Sequence, residues 1–190
     1  MNILLISEIE WCLFKRSFEK NLTIFNVDNQ KETMKKAKLQ YNQITKDIPA
    51  FGSNDALLTT LLNASILAAI YLSLPEKHDV ELVKEYYKKL MNNAVMKLML
   101  RKNKNFTKAY QRNLAKLATK SQKSNNSYAW KFKFIKGESL DSFDAIFEQC
   151  GICTLYKKMG CFDIVSALCA YDYDMAEQTN AVFTREYRIA

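Results

Sequence analysis

The chain has 190 residues, 48% of them apolar, with only four Gly, two Pro and a formal net charge of +8. That length suits one domain, or one domain with an appendage, and the apolar share is enough for a core. The scarcity of Gly and Pro excludes collagen-like and long disordered stretches. The longest apolar run, residues 64–74, is too short for a membrane span and is broken by Ser65 and Ser73.

The opening M-N-I-L-L-I-S-E-I-E-W has no basic stretch ahead of its apolar residues, and Glu8 and Glu10 interrupt it early. It does not read as an export signal. A cytoplasmic protein with reduced thiols is the expectation, and an odd count of five cysteines agrees with it.

Apolar periodicity predicts a first helix over residues 5–20, through Ile6, Ile9, Leu13 and Phe14. A second covers 30–46, with Met34, Ala37, Tyr41 and Ile44 as its stripe, and stops before Pro49. The turn P-A-F-G-S-N-D follows, where Ser53 or Asn54 can cap the next helix. That third helix, about 55–73, is apolar on nearly every side and belongs in the centre of a domain. A fourth runs from Asp79 to about Leu100, and a fifth covers about 104–121.

Eleven Lys or Arg and no acidic residue lie between Arg101 and Gly137. Lys104, Lys108, Arg112, Lys116 and Lys120 recur every fourth residue, a step of about 400° that winds a basic ridge around the helix. No recognition motif accompanies it, and Phe106, Tyr110, Leu114 and Leu117 stand at core spacing rather than as a stacking platform. The basic 101–136 segment is read as a solvated face, so nucleic acid is not the expected partner.

At Tyr128 the pattern changes. Y-A-W-K-F-K-F-I-K alternates, with Tyr128, Trp130, Phe132 and Phe134 on one face, the period of a half-buried strand. F-D-A-I-F-E-Q is a second strand candidate. Residues 151–178 predict two or three short helices, broken at Met159-Gly160 and near Phe162-Asp163, and 181–190 alternates as a last strand would. The expected fold is α+β in one domain over 1–190. A bundle of about five helices (1–122) precedes a small antiparallel sheet with inserted short helices (128–190).

The chemistry concentrates between Cys150 and Asp172, which hold Cys150, Cys153, Cys161, Cys169 and Asp172. Such a cluster can be a thiol nucleophile with its base, a soft-metal site, or inert packing. If a strand ends near Gln149 and a helix starts near Gly151, Cys150 sits at a helix N-terminus, which favours thiolate. C-x2-C is half a zinc knuckle, but Cys161 and Cys169 are too widely spaced to complete it. Cys169, Asp172 and Tyr173 share one helix face, and Asp172 can serve as a general base or hold a substrate ammonium. His78 is the only histidine and stands far from the cysteines in sequence. Serine-nucleophile elbows, phosphate-binding glycine loops and dinucleotide fingerprints are absent.

These residues resemble the L-2-amino-thiazoline-4-carboxylic acid hydrolase family. One block is I-P-A-F-G-S-N-D with its apolar helix. The other is C150-x9-G160-x8-C169-x2-D172-Y-x-M-A-E, continuing to R185-x3-I189-A190. The similarity covers roughly residues 30–190. It implies an α+β fold and water-driven opening of a small cyclic C=N substrate, ultimately giving cysteine. The matched site positions are Cys150, Cys169, Asp172, Arg185 and Asn54; Cys153 and Cys161 are not needed. In the family a Gly-rich turn and a Cys-Asp-Phe strand follow the I-A position, where this chain stops.

The reading is a hydrolase without cofactor or bound metal, acting on a small molecule, with no membrane partner and with room for a homo-oligomer. Cys150, Cys169 and Asp172 are its catalytic candidates and would converge in a pocket. Asn54, Tyr173 and Arg185 bind substrate, with Arg185 placed to meet a carboxylate. The alternative is a non-catalytic small-ligand-binding or regulatory protein of the same fold with an incomplete site.

Overall fold

The computed structural model describes residues 2–100 and 105–186. Among these, eight α-helices and one two-stranded antiparallel sheet give an α+β fold. Helix α1 (Ile3–Asn21) begins where the Asn2 side chain accepts the N–H groups of Leu4 and Leu5. Its buried face is Ser7, Trp11, Phe14 and Phe18. Ile9 and Leu13, expected on the core stripe, are about half exposed. The aromatic side chains win the inward face because each removes more apolar area from water.

Helix α2 (Gln30–Asp47) is capped by Asn29 and buries Met34, Ala37, Tyr41 and Ile44, as its periodicity predicts. Helix α3 (Leu58–Ser73) is buried on all sides from Leu61 to Tyr71 and forms the central rod against which α1, α2 and a later helix pack. Its start differs from expectation. Neither Ser53 nor Asn54 caps it; the N-cap is Leu57, in left-handed backbone geometry with no side-chain cap. The polar residue of that turn which is engaged is Asp55. It accepts the Gly52 N–H at 2.9 Å, the Asn126 amide at 3.1 Å and the Ser124 hydroxyl.

The predicted fourth helix is two, α4 (Val80–Met91) and α5 (Ala94–Leu100). The break falls at Asn92-Asn93, where the Asn93 side chain caps the second piece by accepting the Met96 N–H. Helix α6 (Lys108–Ser121) starts at its cap Thr107, and Lys108, Arg112, Lys116 and Lys120 are exposed on it. Lys104 lies outside the described residues.

Strands β1 (Lys131–Lys136) and β2 (Phe143–Gln149) pair with Phe132 opposite Phe147, their rings stacked at 5.3 Å. Tyr128, Trp130 and Phe132 are buried as predicted. Helices α7 (Gly151–Met159) and α8 (Val165–Gln178) follow, separated by Gly160 and a short 3-10 turn. The expected last strand is not one. Residues 181–185 have no strand partner, Val182 points into solvent, and the segment turns back over α8; 187–190 lie outside the described residues. Alternation alone does not make a strand; here Arg185 ties the segment to α8 instead.

Candidate functional site

Cys150 is the N-cap of α7, in extended geometry, and its carbonyl accepts the Thr154 N–H at 3.2 Å. The junction is built on close backbone contact. A Cβ on buried Gly151 would stand 2.0 Å from the Tyr128 carbonyl oxygen and 3.1 Å from the Trp130 ring, so glycine is needed there. Gln149, one residue before, donates its amide to the carbonyls of Asn126 and Ala129 at 2.9 and 2.7 Å. Because Asn126 also binds Asp55, the P-A-F-G-S-N-D turn braces this junction from beneath.

The Cys150 thiol is pulled down from 9.0 to about 7. The largest cause is the Cys153 thiol, which donates to its sulfur; the Cys153 and Ile152 N–H groups add to this, while burial and the Asp172 charge oppose it. These are the helix N-terminal donors that favour thiolate, although no geometric side-chain cap forms. Cys153 is buried and moves strongly upward, chiefly because its proton is committed to Cys150. Cys150 is only half-buried.

Helix α8 brings Cys169 and Asp172 to the same locality. The Asp172 charge reaches Cys150, and Cys169 is felt by both Cys153 and Tyr156. Asp172 is raised by burial, an effect opposed by Arg185. Arg185 donates to the Asp172 carboxylate and, at 3.1 Å, to the Cys169 carbonyl. Its guanidinium also lies 5.0 Å from the Phe183 ring and 5.8 Å from the Tyr173 ring, which meet edge to face. The C-terminal segment is thus held on α8 by Arg185 and by Phe183 packed on Tyr173.

The structure therefore brings Cys150, Cys169, Asp172, Tyr173 and Arg185 to the α7–α8 region. Asn54 is different: it sits half-buried in the 51–55 turn, and among the described residues no hydrogen bond joins it to the cluster. An open groove of about 360 Å³ does run along α8, but Ala167, Ala170, Tyr171 and Asp174 line it, with residues of α4. Those four positions lie on the opposite face of the helix from Cys169 and Asp172. His78 is packed on Phe25 at 4.9 Å between ring centres. Cys161 is fully buried and its thiol is pushed up to about 12, mainly by burial. Among the described residues no three His, Cys, Asp or Glu are arranged to hold a metal.

Two residues escape a reading of motifs. Asn63 of α3 is buried, and its amide oxygen accepts the Tyr87 hydroxyl at 3.3 Å while its Nδ2 has no partner among the described residues. Tyr87 packs edge to face on Tyr171 at 5.7 Å, and its phenol is raised by burial, then by Tyr171 and Asp172. The signal was present: one Asn inside an otherwise apolar L-L-N-A-S-I-L.

Removing the guanidinium tests how α8 depends on it. In Arg185→Met, Asp172 loses the cation that lowers it, so its carboxyl rises further. A carboxyl raised on folding is a destabilising influence that appears as pH rises through its range and vanishes below it. The variant should lose about 1 kcal/mol at pH 7, discounted for solvent at this half-exposed pair, and less at pH 4. Equal losses at both pH values in thermal melts would deny the ion pair this role.

Helices packed around a single buried rod, with a small antiparallel hairpin, define an α+β protein. The family model of L-2-amino-thiazoline-4-carboxylic acid hydrolase matches residues 60–190, and the chain belongs to that family. The match begins after the I-P-A-F-G-S-N-D turn, so Asn54 lies outside it and all the other site candidates within it. No curated protein and no solved structure matches the chain significantly. No described helix is long and apolar enough to cross a membrane.

Proposed function

We propose that the protein hydrolyses a small cyclic amidine of the 2-amino-thiazoline type, with Cys150 as nucleophile. The observation that carries this is Cys150 at the head of α7, with its thiol near 7 and within reach of the Asp172 charge. In this reading the Cys150 thiolate attacks the ring carbon flanked by sulfur and nitrogen. The tetrahedral adduct collapses with cleavage of the ring C–S bond, and the substrate sulfur leaves as a thiolate. Water then adds to the isothiourea carbon, giving up a proton to Asp172, and Cys150 is expelled as thiolate. The product is the open-chain carbamoyl cysteine. Arg185 has five N–H donors and commits two of them to Asp172 and the Cys169 carbonyl, so others can take the substrate carboxylate. Cys169 and Tyr173 complete the wall of the site on α8.

The test is purified protein with 2-amino-thiazoline-4-carboxylate, followed by mass spectrometry. The expected result is loss of substrate with appearance of carbamoyl cysteine or cysteine. The engagement of Asp172 by Arg185 favours a second reading, a small-ligand-binding protein whose carboxylate is already neutralised. Saturable thermal stabilisation by the same compound without turnover would select that reading and end the hydrolase one.

A further inference from the structure

We propose that Cys150 and Cys153 form a dithiol that exchanges with low-molecular-weight disulfides, closing into a bond between the two. It stands on the geometry at the head of α7 and holds whether or not the hydrolase reading does. Cys153 has no place in the hydrolase pattern, yet it stands in the first turn of the helix that Cys150 heads, and its thiol bears on the Cys150 proton.

The spacing allows ring closure. Cys150 is the N-cap and Cys153 the third residue of the helix. Positions three apart on a helix lie about 5–6 Å apart between Cβ atoms, and a disulfide needs about 3.5–4.5 Å, so the two must approach by roughly 1–2 Å. Only a modest rotation of the N-cap, which is not yet helical in its backbone, is required. Exposure then sets the order of events. Cys153 is 5% exposed while Cys150 is half-buried, so of this pair Cys150 is the one an incoming disulfide reaches first. Cys161 is fully buried and does not compete.

The chemistry balances as a two-electron exchange. The Cys150 thiolate attacks one sulfur of R–S–S–R; that bond breaks, the first RS⁻ leaves and takes a proton, and a Cys150–S–S–R mixed disulfide remains. Loss of the Cys150 negative charge also removes the acceptor that held the Cys153 proton. Cys153 gives that proton to water and attacks the Cys150 sulfur, and the second RS⁻ leaves. The protein dithiol is oxidised to a disulfide and R–S–S–R is reduced to two thiols. Because Cys150 is consumed, the oxidised protein would have no nucleophile for ring opening.

The experiment uses the full chain, incubated at pH 7.5 with oxidised glutathione, quenched with acid, alkylated and mapped by mass spectrometry. Wild type should show one disulfide joining Cys150 to Cys153 with no glutathione left on either, any adduct on the exposed Cys12 being mapped separately. Cys153→Ser should instead accumulate a stable glutathione adduct on Cys150, and dithiothreitol should reverse both. Three results overturn the proposal: a persistent adduct on wild-type Cys150, an unreacted Cys150, or a bond from Cys150 to Cys169. The wild-type map alone decides, so a poorly folded variant does not blur the outcome. Ring-opening activity is not part of the readout, so a failed hydrolase assay leaves this result intact.

Discussion

Replacing Cys150 with alanine should reduce ring-opening turnover by roughly a thousandfold or more, the scale on which removal of a nucleophile acts. Stability should change by no more than about 1 kcal/mol, because the side chain is half-buried and forms no cap hydrogen bond. The pH dependence sharpens the test. A thiol at 9.0 would be only about 1% thiolate at pH 7, whereas one at about 7 is half ionised there. The thiolate forms as pH rises, so wild-type iodoacetamide alkylation of Cys150 should climb through pH 6–7 and level off above about 8. An inert thiol would still be climbing at pH 9. Retained turnover in Cys150→Ala, with normal alkylation kinetics in wild type, would transfer the nucleophile's role to Cys169 and leave Cys150 as a reactive bystander.

Much of this site was legible in the sequence because the signals are local. A strand period ending at Gln149 and a helix period starting at Gly151 place Cys150 at a helix start without any tertiary information. The i, i+3 spacing of Cys169 and Asp172 fixes them on one face of α8 in the same way. What was not legible depends on contacts across the fold. Ser53 and Asn54 look like helix caps, but the adjacent Asp55 binds Gly52, Ser124 and Asn126, and the helix begins later at Leu57. Residues 181–186 alternate like a strand, but Arg185 ties them to Asp172 on α8, a contact that no local period encodes. The Tyr87–Asn63 contact joins α4 to α3 over 24 positions of sequence, and no period or motif encodes a pairing at that distance.

The importance of Cys153 was likewise hidden. As a residue type it is a small, buried thiol of the kind that packs inertly. Only its position three residues into a helix headed by another thiol gives it a role, and the upward movement of its own proton affinity is the counterpart of the downward movement in Cys150. The two values describe one shared proton rather than two independent residues. A metal site would need further donors beside the two sulfurs, and among the described residues no three His, Cys, Asp or Glu are so arranged.

Gly151→Ala should be the most damaging single methyl group in the chain. The new Cβ meets the Tyr128 carbonyl oxygen at 2.0 Å and its carbon at 2.7 Å. Both are backbone atoms, so no side-chain rotation relieves the contact, and the loop before β1 or the head of α7 must move. Overpacking of this kind costs about 3 kcal/mol, which for a chain of this size lowers Tm by about 6–12 °C. Displacing the head of α7 also takes Cys150 away from the Ile152 and Cys153 donors, so its alkylation midpoint should move from about 7 back toward 9. A second glycine supplies the control. At Gly137, in the hairpin turn, a Cβ would lie 2.4 Å from the Ser142 carbonyl oxygen, a comparable backbone clash remote from α7. Gly137→Ala should lower Tm while leaving the Cys150 midpoint near 7. If both variants lose stability and both keep that midpoint, the thiol does not owe its acidity to the seat that Gly151 provides, and the helix-head account of Cys150 fails.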